Sequence, residues 1–105
     1  LRKYLSQNGW QIGKETVLRD GRFLYTVMNV IWKPGTKLSF GQQYLSPALL
    51  EDRAKELPLY YRQVIAKLHR AVSGRGEQAD PEAVEALREL TALADDPAFT
   101  FLKEE

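Results

Sequence analysis

Cysteine is absent from the 105 residues and histidine occurs once. That excludes a disulfide framework, a thiolate zinc site, a cysteine nucleophile and a triple-histidine metal centre. No apolar run approaches the roughly 20 residues that a membrane-spanning helix needs, and no charged-then-apolar leader opens the chain. The expectation is a soluble protein of the cytoplasm. An initiator methionine is missing too, since the chain starts at Leu1, as a trimmed or subcloned piece of a longer protein would. What is present, 44% hydrophobic and 28% charged residues, is the make-up of one small folded unit.

The net charge of +1 conceals an asymmetry. Residues 1–76 hold 13 Lys and Arg against 5 Asp and Glu, a net +8, while residues 77–105 hold 2 against 9, a net −7. A basic body attracts phosphate backbones and releases their counterions, whereas an acidic terminal segment reads as a solvated helix face. An ordinary mixed surface is the alternative for the basic part.

Leu1, Tyr4 and Leu5 lie one helical turn apart and Asn8-Gly9 is a fitting stop, which marks the end of an amphipathic helix. Trp10 to Arg19 and Arg22 to Trp32 favour strands, and Asp20-Gly21 between them supplies the backbone angles of a type I′ turn, so a β-hairpin is predicted. Trp32 to Tyr44 reads as a polar connection. Ser46-Pro47 opens a short helix, and Pro58 restarts one whose Tyr61, Val64, Ile65, Leu68 and Val72 form an apolar stripe. Arg62, Lys67 and Arg70 occupy its opposite side. After a break at Ser73-Gly74-Arg75-Gly76, Asp80-Pro81 starts another helix with Val84, Leu87, Leu90, Thr91 and Ala94 as its stripe. Two such stripes joined by a short loop favour an antiparallel helical hairpin. Asp96-Pro97 restarts a last helical turn carrying Phe99, Phe101 and Leu102.

The second strand is the informative one. Phe23, Tyr25, Val27 and Ile31 line one face, while Leu24, Met28, Val30 and Trp32 line the other. A strand covered on both sides reads as a nearly continuous apolar run, and the helices available here are too modest for two layers, so a covering partner is expected from outside this chain. A small α+β domain that wraps its own sheet, or a dimer that shares it, is the alternative.

Catalytic chemistry is hard to find. His69 has no serine or cysteine nucleophile tied to it by spacing. Glu51, Asp52 and Glu56 could form an acid-base pair, yet such residues serve solubility on most helices. Gly74-Arg75-Gly76 follows a helix and lacks the remaining glycines of a dinucleotide fingerprint. Lys33, Lys37, Arg62, Lys67, Arg70 and Arg75 are flexible cations suited to phosphate contacts, with Trp32 and Tyr60 nearby in sequence; a solvated face is the competing reading. The residues alone describe an accessory RNA- or protein-binding element, and no metal site.

Leu5, Asn8-Gly9-Trp10, Ile12, Glu15, Asp20-Gly21 and Tyr25, then Pro47, Leu49-Leu50 and the helix after Pro58, resemble the C-terminal part of the bacterial tRNA adenine-22 N1-methyltransferase family over residues 1–72. The chain departs from the family pattern at Thr26, where an acidic residue is usual, and at Leu45-Ser46, where phenylalanine-glycine is usual. The resemblance implies an α+β fragment: the C-terminal β-hairpin of a Rossmann-like methyltransferase sheet, then an antiparallel, coiled-coil-like helical extension. Residues 1–44 would end the methyltransferase domain and residues 45–105 would form the extension. It implies a parent enzyme that uses S-adenosylmethionine bound outside this segment, with tRNA and the rest of the methyltransferase domain as partners. No catalytic or cofactor-binding residue is carried over, and self-association of the isolated chain is expected. The alternative is a stand-alone α+β interaction module.

Overall fold

The computed structural model describes residues 1–73 and 79–103. Its elements run α1 (Arg2–Gln7), β1 (Trp10–Asp20), β2 (Phe23–Trp32), α2 (Pro47–Asp52), α3 (Leu57–Ser73), α4 (Pro81–Asp95) and a 3₁₀ helix (Pro97–Lys103). Each boundary has a local cause. Asn8 caps the end of α1, and Gly9 takes a φ of 91°, a left-handed value that glycine adopts without strain. The hydroxyl of Ser46 accepts from the Leu49 amide at 3.2 Å and Pro47 sits at the first helical position, as the sequence predicts. Asp80 and Pro81 repeat that arrangement for α4, with the Asp80 carboxylate accepting from the Glu82 amide at 2.9 Å.

β1 and β2 form a two-stranded antiparallel sheet. The turn differs from the sequence expectation: Asp20 pairs with Phe23, so the two central residues are Gly21 and Arg22. Only Gly21 has a positive φ, at 60°, which is the backbone pattern of a type II′ turn rather than type I′. A bulge at Gly13 interrupts the register between Ile12 and Lys14. The extra residue changes the parity of β1, so that Ile12, before it, and Glu15 and Val17, after it, share the face toward the helices.

The core is built chiefly by helices. Leu45, Leu49, Leu57, Leu68 and Leu102 are fully buried, Tyr61 and Val64 are nearly so, and the hairpin adds the fully buried Val17. The stripe of α3 is where the sequence places it. On α4 it is rotated: Ala83, Ala86, Leu90 and Ala94 are buried, whereas Val84 and Thr91 are exposed. The reason is steric, because Tyr61, Val64 and Leu68 of α3 need small residues opposite them. Tyr61, near the start of α3, donates its hydroxyl to the Leu90 carbonyl near the end of α4 at 2.8 Å, which fixes the two helices in antiparallel sense.

The outer face of the hairpin is open. Leu18, Phe23, Tyr25, Val27 and Ile31 are 47 to 55% exposed, while Leu24, Met28 and Val30 of the inner face are partly buried. No helix among the described residues is long and apolar enough to cross a membrane.

Candidate nucleic-acid interface

One buried ionic cluster sets how the hairpin and the helices meet. Glu15 of β1 lies in the interior and accepts from Arg2 of α1 (Nη2 at 2.6 Å, Nε at 3.1 Å) and from the hydroxyl of Ser46 at 2.6 Å. Arg2 also donates to the Tyr60 hydroxyl of α3 at 3.0 Å and to the Gln43 carbonyl at 3.3 Å. Burial opposes the charge of Arg2, but its bonds to Glu15 and Tyr60 prevail and hold its proton more firmly than usual. Both oxygens of the carboxylate are satisfied, the condition under which a buried charge is tolerated. Four segments are thereby tied at one point, and α3 is held against the inner face of the hairpin.

The five described cations singled out in the sequence are all exposed, and they fall in different places. Lys67 and Arg70 come together in an open groove between α3 and the hairpin, floored by Val17, Leu24 and Val64 and edged by Tyr60 and Gln63. Arg62, earlier on α3, lines a neighbouring groove. Lys37 borders a third, beneath α1, beside Ser6 and Gly9. Lys33 follows β2, and its amide donates to the Gly9 carbonyl at 2.9 Å. Arg75 lies outside the described residues, as does the break from Gly74 to Gly76. His69 is exposed on α3, and Asp52 accepts from the Thr16 hydroxyl at 2.6 Å. Among the described residues no group of three His, Asp or Glu is placed to hold a metal ion.

Three cations beside Arg62 were not among those singled out in the sequence. Arg19, Arg53 and Lys55 line the same groove as Arg62, with Pro58, Leu59 and Phe101. They come from the end of β1 and from the turn between α2 and α3, so no spacing in the sequence joins them. Arg53 is the most constrained, with a left-handed backbone (φ 52°, ψ 41°) that costs a non-glycine residue about 1 kcal/mol. Its amide closes α2 onto the Leu49 carbonyl at 3.2 Å, and its guanidinium donates to the Ala98 carbonyl at 3.0 Å and lies 4.4 Å from the Phe101 ring centre.

No curated protein matches the chain. A solved structure of an uncharacterized protein from Listeria monocytogenes serotype 4b is similar in fold, with a TM-score of 0.53 at 19% identity. The likeness covers 98% of this chain and 44% of the other, so this chain spans less than half the length of that structure. A family model described as TrmK, tRNA (adenine(22)-N(1))-methyltransferase, matches residues 1–94, beyond the segment on which the sequence resemblance rests. With nearly the whole chain matched, from α1 through most of α4, the chain belongs to the tRNA (adenine(22)-N(1))-methyltransferase family.

Proposed function

We propose that this chain is the C-terminal part of an S-adenosylmethionine-dependent tRNA (adenine-N1)-methyltransferase of the cytoplasm, where it completes the catalytic domain's fold and helps to hold the tRNA without supplying catalytic groups. On this reading residues 1–44 finish a Rossmann-like sheet and residues 45–105 form its helical extension. The observation that carries it is the open face of Leu18, Phe23, Tyr25, Val27 and Ile31. A sheet with one face on its own helices and an apolar second face fits a layered domain whose other layer comes from elsewhere.

The residues described here do not fit the cofactor itself. In open α/β sheets a nucleotide-like ligand sits beyond the carboxyl ends of parallel strands, against a glycine-rich turn that opens a helix. The described strands are one antiparallel pair joined by a tight turn. The cofactor site and the chemistry of methyl transfer therefore belong, in this proposal, to the remainder of the enzyme. The role left for this chain is electrostatic and positional, through the cations of α3 and its fixed docking on the hairpin.

The test is methyl incorporation by the full-length protein into a tRNA transcript with adenine at the family's target position. Incorporation that disappears when that adenine is replaced by guanine supports the proposal. A full-length protein that neither binds nor methylates tRNA leaves the stand-alone interaction module as the better reading.

A further inference from the structure

Two grooves of the molecule meet across the hairpin. Arg19 pairs with Leu24, so the groove of Arg19, Arg53, Lys55 and Arg62 adjoins the one where Leu24 lies beside Lys67 and Arg70. Arg62 and Arg70 are two helical turns apart on α3, about 12 Å along its axis. The cations from the α2–α3 turn thus continue the basic side of α3 around the start of that helix.

We propose that the groove formed by Arg19, Arg53, Lys55 and Arg62 is a phosphate-backbone contact for the RNA substrate, anchored by Arg53; this rests on the reading that the whole protein acts on tRNA. The geometry supplies two held guanidinium groups and two flexible cations. Arg53 is set by its left-handed backbone, its bond to the Ala98 carbonyl and its stacking on Phe101. The Nε of Arg19 donates to the Gly21 carbonyl at 2.8 Å, which orients the guanidinium, and its terminal nitrogens have no hydrogen-bond partner among the described residues. Lys55 and Arg62 are exposed and form no ion pair with a described carboxylate. Glu56 is the single acid in the groove, so four positive charges stand against one negative. Held guanidiniums lose little freedom on binding a phosphate, and the flexible cations follow the backbone to the next one. The groove, about 390 Å³ and open to solvent, suits an extended chain of anions better than a small enclosed ligand.

The experiment uses the full-length protein and a tRNA transcript, with dissociation constants measured across a range of salt concentrations. The Arg19→Gln/Arg53→Gln/Lys55→Gln variant should bind tRNA at least tenfold more weakly near physiological salt. Its slope of log affinity against log salt should shrink by about two to three units, close to one per lost contact. Lys14→Gln, on the outer side of β1, should leave both unchanged. Because Arg53 also packs on Phe101, the Arg19→Gln/Lys55→Gln double variant is measured beside it; a slope reduced by about two units at an unchanged melting temperature supports the proposal without any change at Arg53. Unaltered affinity and slope in both variants, with wild-type protein that binds and methylates tRNA, would overturn this proposal alone. Wild-type protein that fails to bind tRNA would overturn the functional reading and this proposal together. Poly-glutamate that displaces tRNA as well from the wild type as from the triple variant leaves the groove to RNA; selective loss of poly-glutamate binding in the variant would assign it to an acidic protein instead.

Discussion

Glu15 is the residue on which most of the internal order turns. It is buried, yet Arg2 and Ser46 satisfy its oxygens. Removing one member of such a pair leaves the other charge stranded, so Glu15→Ala should lower unfolding free energy by about 3–5 kcal/mol in urea titrations. Replacing both Arg2 and Glu15 by methionine should cost much less than Glu15→Ala alone, because no charge is then left unpaired. Tyr61 provides a second residue-level expectation. Burial, reinforced by nearby Asp95, raises its phenol above the usual value of 10.0. A raised folded-state value means that the native protein holds this proton more tightly than the unfolded chain does. The resulting stability is complete below pH 10 and is lost as pH rises beyond it. Stability measured against pH should therefore fall less steeply above pH 10 in Tyr61→Phe than in wild type, while at neutral pH that variant should be about 1 kcal/mol weaker through the lost bond to the Leu90 carbonyl.

At the scale of elements, α4 separates what periodicity can and cannot decide. A leucine-rich pattern repeating at three and four announces a helix, and the helix is there. Which of its faces is buried depends on the partner, and the bulk of Tyr61 and Leu68 on α3 selects the alanine side of α4 over Val84. Ala86→Leu should overpack that contact and cost about 1–3 kcal/mol, whereas Val84→Lys should change stability by less than about 0.5 kcal/mol; thermal melts of the two variants distinguish the registers. The hairpin shows the same division. Asp20-Gly21 marks a turn, but the cross-strand partner decides that Gly21 and Arg22 are its central residues. Capping signals at Ser46 and Asp80 are read correctly from sequence because they are local. The burial of Glu15 and the gathering of Arg19, Arg53 and Lys55 are not local, since each depends on elements far apart in the chain, and Arg53 adopts a backbone conformation that its residue type does not announce. Gly9 combines both kinds of information: its left-handed φ is signalled by the helix end, but a Cβ there would stand 2.6 Å from the Trp32 ring. Because the Trp32 ring is exposed and can swing aside, Gly9→Ala should lower stability by about 1–2 kcal/mol, chiefly through its left-handed backbone.

For the whole molecule, the open hairpin face sets the behaviour of the isolated chain. Leu18, Phe23, Tyr25, Val27 and Ile31 should bind hydrophobic dyes and drive self-association visible in light scattering at high concentration. Val27→Lys should reduce both in the isolated chain at little cost in stability, and on the proposed reading should destabilise the longer protein by about 2 kcal/mol or more where the remainder of the domain covers that face. An undiminished melting temperature of full-length Val27→Lys would mean that the face stays wet in the complete protein. The ionic cluster has a further effect, on the order in which the structure opens. Helix α1 has six residues and buries none of them, a segment that on its own would fray within microseconds. Fraying here must first pull Arg2 away from Glu15, at the cost of stranding a buried carboxylate. The hydrogen-bonded amide of Leu5, in the turn that Arg2 holds, should consequently exchange with solvent deuterium only as fast as the core amides of Leu68 and Leu90, and in Glu15→Gln it should exchange ahead of them. A six-residue helix with no buried residue would then keep time with the slowest part of the molecule.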